Sequence, residues 1–194
     1  MVEVSPPSGW SDRILADRTD KDRAFANSGN SPVLPEHRGS FSELDYWPAD
    51  RRYRMVGPVH VYPEPEQFEI PTTSGKVRPC ERYGWLEFEL DGQVHSLQVY
   101  RLLDSTPADG TSKLFLPFTD GTSGEQTYPA GRYLDLDGAP GGLYELDFNR
   151  AYNPSCAYGD PSRYVCPVTP KENRLSVRIE AGERGYVEPM AQAS

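Results

Sequence analysis

A chain of 194 residues with 29 acidic and 20 basic side chains carries a formal net charge of −9, a field that repels nucleic acid and anionic membrane surfaces. The length suits one domain that buries roughly 70% of the surface its unfolded chain exposes. With 19 prolines and 17 glycines the chain should be rich in loops without being of low complexity.

In chain order, "SDRILADRTDKDRAFANS" predicts a charged helix with Ser11 as its N-cap and Asp12 favourably placed in its first turn. Ile14, Leu15, Ala24 and Phe25 give it only a thin apolar stripe, so it should lie on the surface. "SPVLPEHRGSF" follows as a Pro-broken connector, which makes residues 1–40 a helix-and-connector segment ahead of a β-rich domain over 41–185. Residues 186–194 read as a flexible tail. Arg51, Arg52 and Arg54 read as a solvated loop face rather than a phosphate site. No run of about eighteen apolar residues occurs, and "MVEVSPPSGW" has no signal-peptide pattern, so a cytoplasmic protein without membrane contact is expected.

From Tyr46 onward the pattern has period two. "GWLEFELDGQVHSLQVYRL" predicts a hairpin about Asp91-Gly92, because a type I′ turn needs positive φ at both central residues. That turn sets Leu90 opposite Gln93, Phe88 opposite His95 and Leu86 opposite Leu97, with His95 reading as a core histidine. Further strands are expected at Lys113–Phe118, Arg132–Leu136, Leu143–Asn149 and Arg174–Glu180. Six short strands without intervening helices predict a mainly β fold, an antiparallel β-sandwich or distorted barrel with an N-terminal surface helix.

Two segments carry polar groups that their strands do not need. In "FTDGTSGEQTYPAGRYL" a strand ends at Asp120 and a Gly-rich loop leads to Arg132. In "LYELDFNRAYNPSCAY" Glu145, Asp147 and Asn149 share the face opposite Tyr144, Leu146 and Phe148. Arg132 could hold an anion as a fork of donors, with Asp120 or Asp147 as general base, or Arg132 and Asp120 could be a buried pair bracing the loop. Tyr128, Tyr133 and Tyr152, with Asn149 and Asn153, could wall a ligand pocket or rigidify the loops. Glu125 reads as solvated, and Asn153-Pro154 is a candidate cis bond.

Cys156 and Cys166, ten apart, fit buried thiols, a loop-closing disulfide or a nucleophile whose base would come from elsewhere in the fold, since neither a third and fourth ligand at zinc spacing nor a histidine falls in the block. No nucleophile elbow, Walker loop or dinucleotide fingerprint occurs, and no metal or cofactor is implied.

"LFLPFTDGTSGEQTYPAGRYLDL", "LDFNRAYNPSCAY" and "CPVTPKENRLSVRIEAGE", with "SELDYWPADRRYRM", resemble the signature blocks of the domain-of-unknown-function family numbered 1684. The likeness covers most of the chain and departs at Pro129 and Thr169, where the family commonly has Gly and Pro. It implies no mechanism. The reading that results is a domain binding a small anionic or polar molecule in a polar and aromatic pocket. Two alternatives are a hydrolase or lyase using an Asp base with Arg132, and a structural or assembly module. The sequence assigns no oligomeric state.

Overall fold

The computed structural model describes residues 1–105, 113–139, 142–159 and 163–187, so most of the expected tail, 188–194, lies outside the described residues. Two antiparallel sheets face each other. The smaller runs β1-β2-β9-β8, built from β1 Val2–Glu3, β2 Arg54–Pro58, β8 Gly138–Ala139 and β9 Leu143–Asp147. The larger runs β3-β4-β5-β6-β7, from β3 His60–Pro71, β4 Val77–Leu90, β5 Gln93–Leu102, β6 Leu114–Phe118 and β7 Arg132–Leu136. This is a sandwich rather than a closed barrel.

The core lies between the sheets: Met55, Leu146 and Phe148 from one side meet Leu86, Phe88, Leu97, Val99, Leu116, Phe118 and Leu134 from the other. Phe148 is its centre, with ring centroids 5.4 Å from Phe88 and 5.2 Å from Phe118. Each such side chain contributes about 1.5–3 kcal/mol of burial.

The β4–β5 hairpin has the expected register, Leu90↔Gln93, Phe88↔His95 and Leu86↔Leu97, and Asp91 and Gly92 both take positive φ, 52° and 76°. β6 and β7 pair from Leu114↔Leu136 to Phe118↔Arg132, which brings Asp120 and Arg132 to one end of the hairpin. β3 is less legible because Pro63 and Pro65 interrupt it. As the last strand of its sheet it tolerates them, at the cost of a register shift between Val61 and Glu66.

Three expectations are corrected. The helix, α1, spans Trp10–Asn27 and starts after Gly9 at φ 70°, so Ser11 lies inside the first turn instead of capping it. Its buried residues are Trp10 and Ile14, and Trp10 Nε1 donates to Asp147 Oδ2 at 2.8 Å. No peptide bond is cis among the described residues, so Asn153-Pro154 is trans. The segment 174–180 is not a regular strand, because side chains and loop backbone rather than a neighbouring strand satisfy its peptide groups. Leu175 N–H donates to Thr119 O at 2.8 Å, Val177 O accepts from Gly121 N–H at 2.8 Å, and Ile179 N–H donates to Asp120 Oδ2 at 2.7 Å.

Asn173 sits where β5 and β6 part. The pairing Tyr100↔Phe115 continues to set Gln98 opposite Pro117, which has no N–H to give. The Asn173 amide fills that place: its Oδ1 accepts from Gln98 N–H at 2.7 Å, and its Nδ2 donates to Gln98 O at 2.9 Å and Pro117 O at 2.7 Å.

Candidate functional site

The loop from Asp120 to Arg132 closes around a charge pair with no exposed side-chain surface on either partner. Asp120 accepts from Thr122 N–H at 3.2 Å, Thr122 Oγ1 at 2.9 Å, Ser123 Oγ at 3.2 Å and Ile179 N–H, and its Oδ1 meets Arg132 Nη2 at 3.4 Å. The Arg132 guanidinium donates to Ile179 O at 2.8 Å, to Ala181 O and to Glu183 O at 3.1 Å. Those carbonyls alternate along an extended segment, so one arginine does what a paired strand would do. Phe118 and Trp47 stack on the guanidinium at 5.2 and 5.4 Å. Burial pulls the Arg132 pKa down, partly offset by Asp120. Gly182 lets the strap come this close, because a Cβ there would lie 2.6 Å from Ala151 O, and its φ is +77°.

Asp147 and Asn149 are also enclosed. Asp147 Oδ1 accepts Asn149 N–H at 3.0 Å and Nδ2 at 2.8 Å, capping the short turn Phe148–Arg150, while its Oδ2 takes the Trp10 indole. Asn149 exchanges hydrogen bonds with the Asp50 backbone, both at 2.8 Å. The polar face of β9 is thus covered by α1 and the 50-region, with Glu145 paired to Arg54 at its rim. Asn153 N–H donates to Glu183 Oε2 at 2.9 Å and its Nδ2 to Arg184 O at 2.7 Å. Tyr133 Oη donates to Pro167 O, Tyr152 Oη to Asp135 Oδ2 at 2.9 Å, and Tyr128 Oη lies 3.8 Å from Cys156 Sγ. Burial raises the pKa of Asp135. Glu125 is at the surface and meets Arg178 at 2.9 Å.

A cavity lies elsewhere, between α1 and the turn after β9. About 140 Å³ in volume, it is lined by Ile14, Arg18, Lys21, Tyr46, Arg150, Tyr152 and Glu183, among others. Glu183 is buried and accepts from Lys21 Nζ, Tyr158 Oη and Asn153 N–H. Lys21 is further held over the rings of Phe25, Tyr152 and Tyr158 at 5.1–5.7 Å. Arg150 pairs with Asp17.

Arg18 is different. It stacks on Tyr46 at 4.5 Å and donates to carbonyls, Trp47 O at 2.8 Å and Asn149 O at 3.3 Å, and among the described residues no carboxylate contacts it. Burial pulls its pKa down, and Tyr46, Asp147, Glu183 and Asp22 act on it only through space. Its Nε and the Tyr46 hydroxyl are buried with no hydrogen-bond partner, and burial, Glu183 and Asp22 hold the phenol protonated.

Two further clefts flank this one. One of about 380 Å³ is lined by Asp135, Asp137, Glu145, Asp147 and Arg150, with no group of three His, Cys, Asp or Glu arranged to hold a metal among the described residues. The other, about 270 Å³, is walled by Phe115, Tyr133, Tyr152, Tyr164, Arg78 and Cys166. Arg78 is engaged by Asp104 at 2.6 Å.

The predicted residues therefore fall into two groups. Asp120, Arg132 and Asn153 are tied to the segment from Ile179 to Arg184, and Asp147 and Asn149 form a separate buried cluster with Trp10 and Asp50, while Tyr133 and Tyr152 line clefts and Tyr128 touches a thiol. Arg18, Lys21, Tyr46 and Glu183 were not anticipated. Their signal was faint, since a basic pair three apart on a charged helix looks like any solvated face.

Residues 39–184 match the family model described as "Protein of unknown function (DUF1684)", and the chain belongs to that family. It is similar to the solution NMR structure of an uncharacterized protein of Haloarcula marismortui, at 37% identity and a TM-score of 0.67, over 90% of this chain and 94% of that one. No curated protein matches it. Among the described residues no helix is long and apolar enough to cross a membrane.

Proposed function

We propose that this domain binds a small organic anion in the cavity beside α1, with Arg18 as its principal anchor. The observation that carries the reading is a guanidinium drawn out of water with no carboxylate partner, lining a cavity together with a tyrosine whose hydroxyl nothing accepts or donates to. A half-buried guanidinium with carboxylates near it but none in contact is only partly compensated, and an anionic ligand in contact with it completes the compensation. Lys21 and Arg150 add positive field, though Glu183 and Asp17 already answer them. The apolar walls, Ile14, Ala151 and the Tyr152 ring, favour a carboxylate with a compact apolar body. The volume is close to that of a cavity of about 150 Å³ known to hold benzene.

This keeps the expectation of a polar and aromatic pocket but moves its centre. Arg132 and Asp120 serve as a brace, because a ligand on Arg132 would have to displace three backbone carbonyls. An enzyme using Asp120 as base meets the same difficulty, as both oxygens are already taken by donors.

Benzoate and related small carboxylates, screened by thermal shift, provide the test. At a hundred times its dissociation constant a ligand adds about 2.7 kcal/mol, and each kcal/mol raises Tm by roughly 2–4 °C in a chain of this size. Tyr46→Phe should leave the ligand-free Tm unchanged or raise it, since it deletes a buried hydroxyl without a partner. It should weaken benzoate binding by about tenfold, the equivalent of 1.4 kcal/mol. If Tyr46→Phe and Arg18→Gln, both folded, bind as tightly as the parent, the ligand sits elsewhere.

A further inference from the structure

We propose that the cleft of about 270 Å³ on the outer face of β6 and β7 binds a small organic cation, an aryl ring carrying a protonated amine, with Asp135 as its anchor. The site is separate from the anion cavity and does not depend on it.

Alternation along the hairpin builds the cleft. Leu114, Leu116, Leu134 and Leu136 point into the core between the sheets, so their neighbours Phe115, Tyr133 and Asp135 emerge on the opposite face. There Phe115 and Tyr133 pack edge to face, with ring centroids 4.8 Å apart, in a second buried cluster that includes Tyr100 and Ile70. Tyr152 is brought alongside by a backbone bridge to Tyr133, in which the N–H of each residue donates to the carbonyl of the other, at 2.8 and 3.0 Å. Pro154 and Tyr164 complete the walls. The Tyr133 hydroxyl donates to Pro167 O and the Tyr152 hydroxyl to Asp135 Oδ2 at 2.9 Å. Both are thus engaged within the protein, and what these side chains offer the cleft is ring surface, which attracts cations.

The charges around the cleft leave one group without a partner of opposite sign. Arg78 is neutralised by Asp104, to whose two oxygens it donates from Nε at 2.9 Å and Nη2 at 2.6 Å. Lys113 is held by Asp137 at 3.3 Å, and Arg163 lies over the Tyr164 ring at 5.7 Å without lining the cleft. Asp135, at the exposed rim, receives the Tyr152 hydroxyl but touches no basic side chain among the described residues. Enclosure by the protein raises its pKa, Tyr152 and Lys113 oppose that rise, and Asp137 adds to it. A cation in contact with Asp135 would offset both unfavourable effects. An anion would meet the carboxylate as a like charge, and a neutral ring would leave it as it is. The net charge of −9 further concentrates small cations near the surface. The volume exceeds the roughly 150 Å³ known to hold benzene, which leaves room for a ring with a short amine arm.

Benzylamine, protonated at neutral pH, provides the test, with benzyl alcohol as its neutral counterpart of the same size. In amide NMR titrations of the full chain, benzylamine should shift the Tyr133, Asp135 and Tyr152 resonances saturably, and benzyl alcohol should bind about tenfold more weakly or worse. Asp135→Asn should weaken benzylamine by a similar factor, because asparagine keeps one oxygen for Tyr152 and leaves none for the amine. Asp137→Asn, a neighbouring carboxylate outside this cleft, should change the affinity little. Equal affinity for the two probes would overturn the proposal, and so would an Asp135→Asn protein that binds benzylamine like the parent or a parent that shows no saturable shift at these residues. The comparison of probes is made on the parent, so it decides the matter even where a variant misfolds.

Discussion

Arg132→Ala is expected to lose at least about 3–5 kcal/mol of stability, the range found when one member of a buried charge pair is removed. The loss has two sources. Asp120, with no exposed side-chain surface, keeps its charge without its partner, and the carbonyls of Ile179, Ala181 and Glu183 lose their shared donor. Each unsatisfied buried group costs roughly 1–3 kcal/mol. Urea unfolding should show the midpoint falling by about 1–5 M, given slopes of roughly 1–3 kcal/mol/M. Arg132→Lys should recover little, because an ammonium lacks the planar fork that reaches several carbonyls at once. A folded Arg132→Ala protein of near-parent stability that had lost ligand binding would return Arg132 to the ligand site.

The second large effect is expected at Asn173. Asn173→Leu should cost about 2–4 kcal/mol, since three hydrogen bonds of a buried amide are lost, each worth about 1 kcal/mol net, and Gln98 and Pro117 keep unmatched groups. Asn173→Asp is the sharper probe. The carboxylate can still accept from Gln98 N–H, but it sets negative oxygen against the two carbonyls that Nδ2 now serves. Both variants should therefore fall well below the parent in urea, and parent-like stability for the aspartate would mean that the strand gap is closed by something else.

Much of this fold was legible because its devices are local. The Asp91-Gly92 turn fixes the register of β4 and β5, and alternation marks β6, β7 and β9. What was illegible depends on distant partners. The stretch Arg174–Glu180 alternates as a strand does, yet Asp120 and the loop at Thr119–Gly121 occupy its hydrogen-bonding groups, and Arg132 continues in that way along the strap to Glu183. Nothing local in "RLSVRIE" announces that. Pro117 in mid-strand was the one visible hint that a side chain must complete the sheet, and "KENRL" supplies it.

The polar block was likewise recognisable as unusual, but its purpose turned on burial. Asp120, Arg132, Asp147 and Asn149 look like a site when written in a line, and fold into two buried clusters in which most of their polar atoms, Arg132 Nε excepted, meet protein partners. The cavity instead draws on residues as far apart as Arg18 and Glu183. Glu183 joins the two systems: its backbone carbonyl accepts from Arg132 and its carboxylate from Lys21. The brace thereby positions one wall of the cavity.

The most direct test of the assignment is to follow the arginine Nε–Hε resonances by NMR during a titration with benzoate. Arg18 should move saturably while Arg132 and Arg78, held by the strap and by Asp104, stay in place. Movement of Arg132 with Arg18 unchanged, or a bound ligand that shifts neither, would contradict the assignment.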